Sequence, residues 1–392
     1  MTILIAVLLA PLSLLTFCFV LEILVGVRPL RNEAAIGSVS ASTVVIVPAH
    51  DEEAILAARL SSLQNAVEGQ ARILVVADNC TDATASIARR LGVEVIERFD
   101  PERRGKGFAL DFARNHLAAQ PPDIVLIVDA DCVTDAHSIG LLVDRCAASG
   151  SPCQATYIQQ PGNDSSPAVQ VSTFAFFIKN VVRQRALQRL AKRAHLVGSG
   201  MAFPWAVFSR AELATSNIVE DLKLGQELAD AGHAPLFVEQ ATVWSAAETE
   251  RNTLSQRRRW EGGYLQNAVC VAPSFLVKAA IRGDERGLWA AINLMIPPIS
   301  LLMFLDLVAL ALAGLAWWLA GAGAWPGLIL AATVLLAGAA LALAWLAGGS
   351  KFVTIGGLAR VPFYLLWKLP LYLGFARGGV PKEWLRTNRS DP

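Results

Sequence analysis

Long apolar segments lie at both ends of the chain, and they constrain its fold more than any other feature. The first, residues 2–25, contains one charged residue, Glu22, and is long enough to cross a bilayer as a helix of about 20 residues. It lacks the basic start and the small-residue cleavage site of a signal peptide, so we expect it to be retained. Because Arg28 and Arg31 follow it directly, the positive-inside rule places the downstream chain in the cytoplasm. The sequence therefore predicts an amino-terminal membrane anchor over residues 1–27.

The carboxyl-terminal apolar region is predicted to hold two further spans, within residues 291–348. Residues 300–319 and 328–346 are each long enough to cross a bilayer, and tryptophans flank the short uncharged loop between them. Basic residues follow the second span, which predicts that the chain returns to the cytoplasm. We expect residues 266–290 to lie on the membrane surface, and residues 349–392 to form an interfacial or re-entrant helix and a cytoplasmic tail.

Composition excludes one class of function and indicates a compartment. Hydrophobic residues make up 54% of the 392 residues, and 34 basic against 33 acidic side chains leave a net charge of +1. Such a balance offers no basic surface for nucleic acid, so we expect no nucleic-acid partner. The six cysteines show neither CxxC pairs nor zinc-site spacing, which is typical of free thiols in a reducing compartment.

The polar middle of the chain, residues 40–265, contains one strand whose end carries two acids. Residues 124–128 are five branched apolar residues in a row, as expected for a parallel strand buried on both faces. Asp129 and Asp131 follow, and alternate residues of an extended chain point the same way, so their carboxylates can converge. At the carboxyl end of a parallel strand, such a pair suits a hard divalent cation and a phosphate. Taken alone, the pair could equally be a solvated loop that ends the strand.

Strands and helices alternate through this region, and three of the predicted strands end in polar clusters. Strands over residues 43–47 and 73–77 each precede a helix, and a helix over residues 108–117 precedes the strand at 124–128. A long helix is predicted further on, over residues 172–190. The alternation predicts an α/β domain with a mostly parallel sheet and helices on both faces. Clusters at the ends of parallel strands share one edge of the sheet, which indicates a nucleotide-type cleft.

Five motifs occur in an order that resembles a known enzyme family. They are Val-Pro-Ala-His-Asp-Glu-Glu at 47–53, Asp78, Asp-Ala-Asp at 129–131, Glu-Asp at 220–221 and Gln-Arg-Arg-Arg-Trp at 256–260. In this order and spacing, across residues 43–262, the chain resembles the membrane-embedded family 2 glycosyltransferases, the group that includes cellulose, chitin and hyaluronan synthases. The resemblance implies a Rossmann-like GT-A domain between amino- and carboxyl-terminal membrane helices.

The resemblance also implies a donor site at the ends of the first strands. The residues matched to donor or nucleotide binding are Pro48, Ala49, Glu52, Asp78, Lys106, Asp129, Gln256 and Arg259. Asp78 matches the acid that reads a uracil base, and a carboxylate can accept a hydrogen bond from a ring N–H. Asp78 could instead cap a turn or a helix, and Lys106 could be an ordinary loop lysine.

The same resemblance implies a Mg²⁺ or Mn²⁺ ion at Asp129 and Asp131. Asp131 matches the residue that coordinates an ion bridging the diphosphate, and Asp129 matches the acid on the nucleotide-sugar side. Such an ion would neutralise charge on the leaving nucleoside diphosphate.

Asp221 matches the catalytic base of this family, with Glu220 beside it. Direct displacement at the anomeric carbon needs a carboxylate near the attacking hydroxyl, opposite the leaving group, which predicts inversion of the sugar. Val219 stands where a threonine usually precedes the pair, and a helix amino terminus would also favour two acids. Gly198 and Gly200 match a segment that touches the acceptor, although a tight turn packed on the core has the same appearance.

The motif at 256–260 is predicted to lie on a helix. Gln256, Arg259 and Trp260 would then share one face, where the guanidinium suits a diphosphate and the indole ring suits a sugar acceptor. Arg257 and Arg258 are predicted to point elsewhere, towards anionic lipid headgroups.

Together these features predict an inverting, multi-pass enzyme of the inner (plasma) membrane with its catalytic domain in the cytoplasm. It would transfer a sugar from a nucleotide-sugar donor, with a UDP-sugar favoured, to an acceptor hydroxyl. The motif at 256–260 favours a growing polysaccharide as acceptor, and transfer of one sugar to a lipid or lipid-linked acceptor is the alternative. About three spans are few for a polymer pore, so a membrane partner or a homo-oligomer would complete one. A third class, a membrane scaffold without catalysis, would have no physical need for all the motif residues.

Overall fold

The structure, a computed structural model, describes residues 1–31, 40–162, 164–215, 219–247 and 250–378. Within these ranges the side chains of 250–256, 376 and 378 are outside the description. The strands are β1 (Thr43–Ala49), β2 (Ala71–Asp78), β3 (Glu94–Arg98), β4 (Ile124–Ile127), β5 (Val133–Thr134), β6 (Cys153–Gln160), β7 (Met201–Pro204) and β8 (Leu236–Ala246).

The helices are α1 (Thr2–Gly26), α2 (Glu53–Val67), α3 (Thr84–Arg90), α4 (Lys106–Leu117), α5 (Ala136–Ser149), α6 (Pro167–Phe177), α7 (Arg183–Ala191), α8 (Trp205–Phe208), α9 (Glu220–Asp230), α10 (Glu250–Cys270), α11 (Ala272–Arg282), α12 (Glu285–Met295), α13 (Ile299–Ala320), α14 (Trp325–Leu346), α15 (Ile355–Leu358) and α16 (Val361–Gly378). A π-helical segment, Ile178–Val182, joins α6 to α7, and a 3-10 turn, Gly349–Lys351, precedes α15.

The described residues fall into two compact units that are interleaved along the sequence. The sheet unit comprises residues 29–163 and 192–256. The helical unit comprises residues 1–28, 164–191 and 257–380. The boundary at 256 and 257 lies inside α10, so this helix contributes to both units.

The sheet unit is built on a mixed eight-stranded sheet in the order β3-β2-β1-β4-β7-β6-β8-β5. β1 is parallel to both β2 and β4, and β2 is parallel to β3, so the predicted parallel region is present. β6 and β8 are also parallel, whereas β7 is antiparallel to β4 and β6, and β5 is antiparallel to β8. Parallel and antiparallel ladders differ in their hydrogen-bond pattern, which the residue types of a short apolar strand do not reveal.

The core of the sheet unit fixes the ends of the parallel strands. Val44, Leu74 and Val125, from three neighbouring strands, are at most 1% exposed and pack in one cluster with Ala109 and Ala113 of α4. Fully burying an aliphatic side chain contributes roughly 1.5–3 kcal/mol, so each strand is strongly held in register. The carboxyl ends of β1, β2 and β4 therefore lie next to one another as the sequence predicts.

The helical unit contains three helices that are long and apolar enough to cross a membrane, among the residues described. They are α1, α13 and α14, and α10 and α11 together, bent by 40° at their junction, would make a fourth. Polar groups join these helices inside the unit. The Thr16 hydroxyl donates to the Asp306 carboxylate at 3.0 Å, which links α1 to α13. The predicted helix at 172–190 begins earlier, at Pro167, and is interrupted by the π-helical segment.

Candidate active site

Asp129 and Asp131 follow β4 at the carboxyl end of the parallel strands. A hydrogen bond of 2.9 Å from the Cys132 amide to the Asp129 carbonyl closes the turn that carries them. The Asp129 amide donates to the Ser199 hydroxyl at 3.1 Å, which ties this turn to the glycine segment before β7. Both acidic residues are partly exposed, so a ligand can reach them.

The donor atoms at this turn suit a hard divalent cation. Asp129, Asp131 and Cys132 each offer an atom, and these atoms lie within 4.8 Å of one another. Burial, with the neighbouring Asp131 and Asp129 carboxylates, raises the pKa of the Cys132 thiol well above its usual range. A protonated thiol is a poor ligand, whereas carboxylate oxygens are what Mg²⁺ and Mn²⁺ prefer. The residues therefore fit an oxygen-bound ion held by the two acids, without the thiol.

Lys106 is the cation at the centre of the acidic residues. It is the first residue of α4, and its ammonium donates to the Asp129 carboxylate and, at 2.6 Å, to the Gly198 carbonyl. Burial lowers the pKa of Lys106, but the carboxylates of Asp129, Glu220 and Asp221 outweigh burial, and the net shift is upward. Lys106 is therefore held as a cation among the acids of two separate segments, the turn after β4 and the first turn of α9.

Gly198 lies where these side chains converge. Its φ of +93° is in a region that residues with a Cβ rarely adopt. A Cβ at this position would be 3.3 Å from Asp221 Oδ2 and 3.8 Å from both Asp129 Oδ2 and Lys106 Nζ. The absence of a side chain at Gly198 thus leaves space beside the two acids and the lysine. Contact of Gly198 with an acceptor remains a prediction.

Gly200 has a different surrounding. A Cβ there would lie 2.7 Å from Val243 Cγ2 and 2.8 Å from the Ala155 Cβ, and its φ is +69°. The position is therefore required to be glycine by close packing in the sheet and by its backbone conformation. These contacts account for Gly200 without an acceptor, and its predicted acceptor role is untested.

Glu220 and Asp221 form the first turn of α9, where the helix dipole favours negative charge. The Asp221 side chain accepts a hydrogen bond of 2.7 Å from the Leu222 amide. Burial and the adjacent Asp221 carboxylate raise the pKa of Glu220, with Lys106 acting in the opposite direction. The pair thus combines a carboxyl group that holds its proton, Glu220, with a carboxylate beside Gly198, Asp221.

Asp78, the last residue of β2, is buried and hydrogen-bonded. Its Oδ1 accepts from Arg98 Nη1 at 2.6 Å and from the Asn79 amide group at 3.1 Å. Burial raises the pKa of Asp78, and the hydrogen bond and charge of Arg98 oppose that shift. Arg98 was not predicted as a site residue. It ends β3 in register with Asp78, so the pairing of β3 with β2 places it at the same edge of the sheet.

The loop after β1 is fastened to the loop after β2. Pro48 and Ala49 are the last residues of β1, and the Glu52 amide donates to the Thr84 hydroxyl at 2.8 Å. The His50 ring contacts the Asp78 carbonyl at 2.7 Å.

A second group of acids and a thiol, formed by Asp51, Cys80 and Asp82, lies between these loops. Its acids accept hydrogen bonds from loop amides, as expected for groups that shape the loop.

The helix predicted for the motif at 256–260 is observed as part of α10. The side chain of Gln256 lies outside the described residues. Arg259 and Trp260 belong to the helical unit, where the Trp260 ring packs against Phe176 with centroids 5.7 Å apart.

The prediction that Arg257 faces lipid headgroups is wrong. Arg257 is 7% exposed and donates to the Ser172 hydroxyl at 2.8 Å, because burial beside a hydroxyl and two aromatic faces satisfies its guanidinium. Arg258 is exposed.

Comparison with known proteins decides the family. Residues 41–263 match the family model described as glycosyltransferase like family 2, which is more than half of the chain. The chain belongs to glycosyltransferase family 2. This confirms the family and the α/β fold with apolar helices at both termini, whereas the synthase subgroup remains a prediction. No curated protein sequence matches the chain.

Solved structures similar to this family 2 chain include two transferases of low sequence identity. A mannosyltransferase from Pyrobaculum calidifontis, in complex with GDP-Man and Mn²⁺, is 19% identical, and the match covers 94% of this chain and 100% of that one with a TM-score of 0.55. Glucosyl-3-phosphoglycerate synthase from Mycobacterium tuberculosis, in complex with Mn²⁺ and UDP-glucose, is also 19% identical. That match covers 62% of this chain and 85% of the other, with a TM-score of 0.41. The first likeness supports the fold along nearly the whole chain.

Proposed function

We propose that this chain is an inverting glycosyltransferase of the inner membrane that moves a sugar from a nucleotide-sugar donor to an acceptor hydroxyl. The observation that carries the proposal is the convergence of Asp129, Lys106 and Asp221 around Gly198. These residues come from three distant segments, and each has a separate task in glycosyl transfer. Membership in family 2 supports the same reaction class.

The donor would bind at the carboxyl edge of the parallel strands. Asp78, held by Arg98, would accept from the base, and Asp129, Asp131 and Lys106 would face the diphosphate. A Mg²⁺ or Mn²⁺ ion at the two acids would act as a Lewis acid that neutralises charge on the diphosphate. Lys106 would keep Asp129 oriented and add positive charge near the leaving group.

Asp221 would act as the general base. Its carboxylate would accept the proton of the attacking hydroxyl, while the oxygen attacks the anomeric carbon opposite the diphosphate. The bond to the diphosphate breaks as the new glycosidic bond forms, so the configuration inverts. Glu220, with its raised pKa, would remain protonated and would not compete with Asp221 for the hydroxyl proton.

Trp260 would contact the acceptor, for which a polysaccharide end is favoured, and Arg259 would face the diphosphate of the donor. The helical unit contains three candidate spans, or four with the bent pair, within the described residues. Because this number is small for a polymer channel, transfer of one sugar to a lipid-linked acceptor is the second candidate. A sizing gel of the product distinguishes them: a ladder of lengths supports the polysaccharide, and one product of fixed mass supports the single transfer.

A nucleotide-release assay on purified membranes tests the proposal. The donor panel would include UDP-glucose, UDP-N-acetylglucosamine and GDP-mannose, because the base preference at Asp78 is itself part of the proposal. We expect release that requires Mg²⁺ or Mn²⁺ and that Asp221→Asn abolishes, since an amide cannot accept the proton.

The matched control is Asp230→Asn, which changes an exposed acid at the other end of α9 and should leave release unchanged. Release that is independent of metal, or a fully active Asp221→Asn variant, would show that the proposed function is wrong. Mass spectrometry of the product would then identify the sugar, the linkage and the acceptor.

A further inference from the structure

The last helix, α16, carries a lysine that is buried inside the helical unit. Lys368 is 1% exposed, and its ammonium donates to the Glu261 carboxylate and, at 3.0 Å, to the Ser300 hydroxyl. Its nitrogen also lies 5.2 Å from the centre of the Tyr364 ring and 6.0 Å from that of Tyr372. This environment satisfies a cation that an apolar helical unit would otherwise exclude.

Four side chains form a closed hydrogen-bonded ring. Lys368 donates to Glu261 Oε1 and to Ser300, the Ser300 and Tyr372 hydroxyls are 2.5 Å apart, and the Tyr372 hydroxyl donates to Glu261 Oε2 at 3.2 Å. Both oxygens of the carboxylate are therefore occupied, and the serine accepts from the lysine while donating to the tyrosine. The ring joins α10, α13 and α16, and all four members are at most 9% exposed.

Glu261 directly follows Arg259 and Trp260 of the family motif. At the start of this turn of α10, Arg257 donates to the hydroxyl and carbonyl of Ser172, at 2.8 and 3.0 Å, and lies over the Trp260 ring. The turn at 257–261 is thus held at one end by a buried arginine and at the other by the ring. Apolar side chains of similar volume would hold helices together as well or better than a buried ion pair. What the ion pair adds is a fixed orientation of α10 relative to α13 and α16, because each hydrogen bond fixes the geometry of its partners.

We propose that Lys368 is a positioning residue, which acts through Glu261 to fix the orientation of the Arg259–Trp260 turn during sugar transfer. The inference rests on the proposed function, and it assigns to the carboxyl-terminal helix a part in the reaction rather than only in membrane attachment. It predicts that a substitution can change the orientation of the Arg259–Trp260 turn without lowering the stability of the protein.

The experiment compares Lys368→Met with the double variant Glu261→Gln/Lys368→Met. The single variant leaves a buried carboxylate without its cation, so we expect it to lose both thermal stability and activity. The double variant contains no unpaired charge, so we expect its unfolding temperature to return to that of the wild type. Its kcat should still be lower by about 100-fold, the loss that a displacement of about 1 Å at a reacting group causes. Its Kd for UDP should change by a smaller factor than its kcat, because Asp78 and Asp129, two of the proposed nucleotide contacts, belong to the other unit.

Lys351→Met is the matched control, since it removes an exposed lysine from the same unit and should keep the wild-type kcat. Lys368→Arg, which retains the cation, should recover part of the activity. A double variant that is stable and has full kcat would overturn the proposal, and so would a loss of kcat that only follows the loss of stability.

A readout without catalysis separates this inference from the proposed function. A nitroxide attached to Arg258→Cys, in a chain with the exposed Cys270 replaced by serine, reports the orientation and mobility of this turn. We expect its spectrum to change in the double variant and to remain unchanged in Lys351→Met. If the wild type releases no nucleotide from any donor, the proposed function fails, while the spectra still test the ring. Identical spectra in the wild type and the double variant would overturn the inference alone.

Discussion

At the scale of single residues, the site depends on one cation among several acids. Lys106 contacts Asp129 and the Gly198 carbonyl, and the charges of Glu220 and Asp221 also act on it. A lysine between two glycines has no feature in the sequence that distinguishes it from a surface lysine. Its burial and its contact with the Asp-Ala-Asp turn are what make it part of the site.

Replacing this cation should disable the site without removing any acid. Removing one preorganised electrostatic contact from an active site costs about 100- to 1,000-fold in rate, so we expect Lys106→Met to lower kcat/KM by about 100-fold or more. Lys106→Arg, which keeps the charge but changes its geometry, should lose less. The measurement is donor-dependent nucleotide release. Lys223→Met is the control, because Lys223 pairs with Glu227 on the exposed side of α9. Wild-type kcat/KM in Lys106→Met would contradict the role given to this lysine.

Glu220 should make stability depend on pH. Burial and the Asp221 carboxylate raise its pKa, so the folded chain holds this proton more tightly than the unfolded chain does. The stabilisation that protonated Glu220 gives to the folded chain is therefore complete below the ordinary glutamate pKa of about 4.3. It is lost as pH rises through the raised pKa of Glu220 in the folded chain. Glu220→Gln removes the titration, so its unfolding temperature should rise relative to the wild type as pH increases from about 5 to about 9.

Thermal unfolding in detergent, with a chelator present, measures this difference across the pH series. Glu212→Gln, a change at an exposed glutamate of the same unit, serves as the control. A difference in unfolding temperature between Glu220→Gln and the wild type that is the same at every pH would contradict the raised pKa of Glu220.

At the scale of secondary structure, the sequence predicts the strands that are apolar throughout and the helices between them. β1, β2 and β4 are recognisable because burial on both faces leaves a continuous apolar run, and so are the acid that ends β2 and the acids that follow β4. The antiparallel pairing of β7 is not recognisable, because it depends on hydrogen bonds between segments far apart in sequence. Arg98 was missed for the same reason: only the register of β3 on β2 brings it to Asp78. The π-helical segment is not recognisable either, because residue types do not show where the backbone changes to i→i+5 hydrogen bonds.

The last turn of α1 provides a test of helix packing. A Cβ on Gly26 would lie 1.9 Å from the Val182 carbonyl oxygen in the π-helical segment, so this contact excludes any side chain. We expect Gly26→Ala to lower the free energy of unfolding by about 1–3 kcal/mol, the usual cost of overpacking. Gly314→Ala in α13 is the control, since no atom of the described residues lies within 4 Å of its new methyl group. Equal stability of the two variants would show that the close contact is not maintained.

At the scale of the whole molecule, the order of motifs indicates the family, but the division into units could not be predicted. Residues 164–191 lie between two parts of the sheet unit in sequence, yet they belong with the apolar helices. Their side chains include Arg183, whose burial depends on Glu22 in α1. A local pattern of apolar and basic residues does not reveal a partner 161 positions away.

Labelling of introduced cysteines tests the predicted topology. In a Cys270→Ser background, Ala324→Cys in the loop between α13 and α14 should react with a membrane-impermeant maleimide added outside intact cells. Arg103→Cys, at an exposed position of the sheet unit, should react only after the membrane is permeabilised. The reverse pattern would contradict a cytoplasmic sheet unit, and labelling of both residues would contradict the span assignment.

The buried contact between Glu22 and Arg183 has a consequence for synthesis of the protein. Glu22 Oε2 lies 2.5 Å from Arg183 Nε, and its other oxygen accepts from Asn293, 271 residues further along. At about 5–20 residues per second, a ribosome needs about 10–30 s to reach Arg183 after Glu22 has been made. Under the proposed topology, the nascent first helix carries an acid without its partner near the end of the span during that interval, and a charge inside a span is costly. Under the same topology, segments made late neutralise one made early, and we expect a ribosome-stalled chain to hold a first helix that is inserted but incompletely packed.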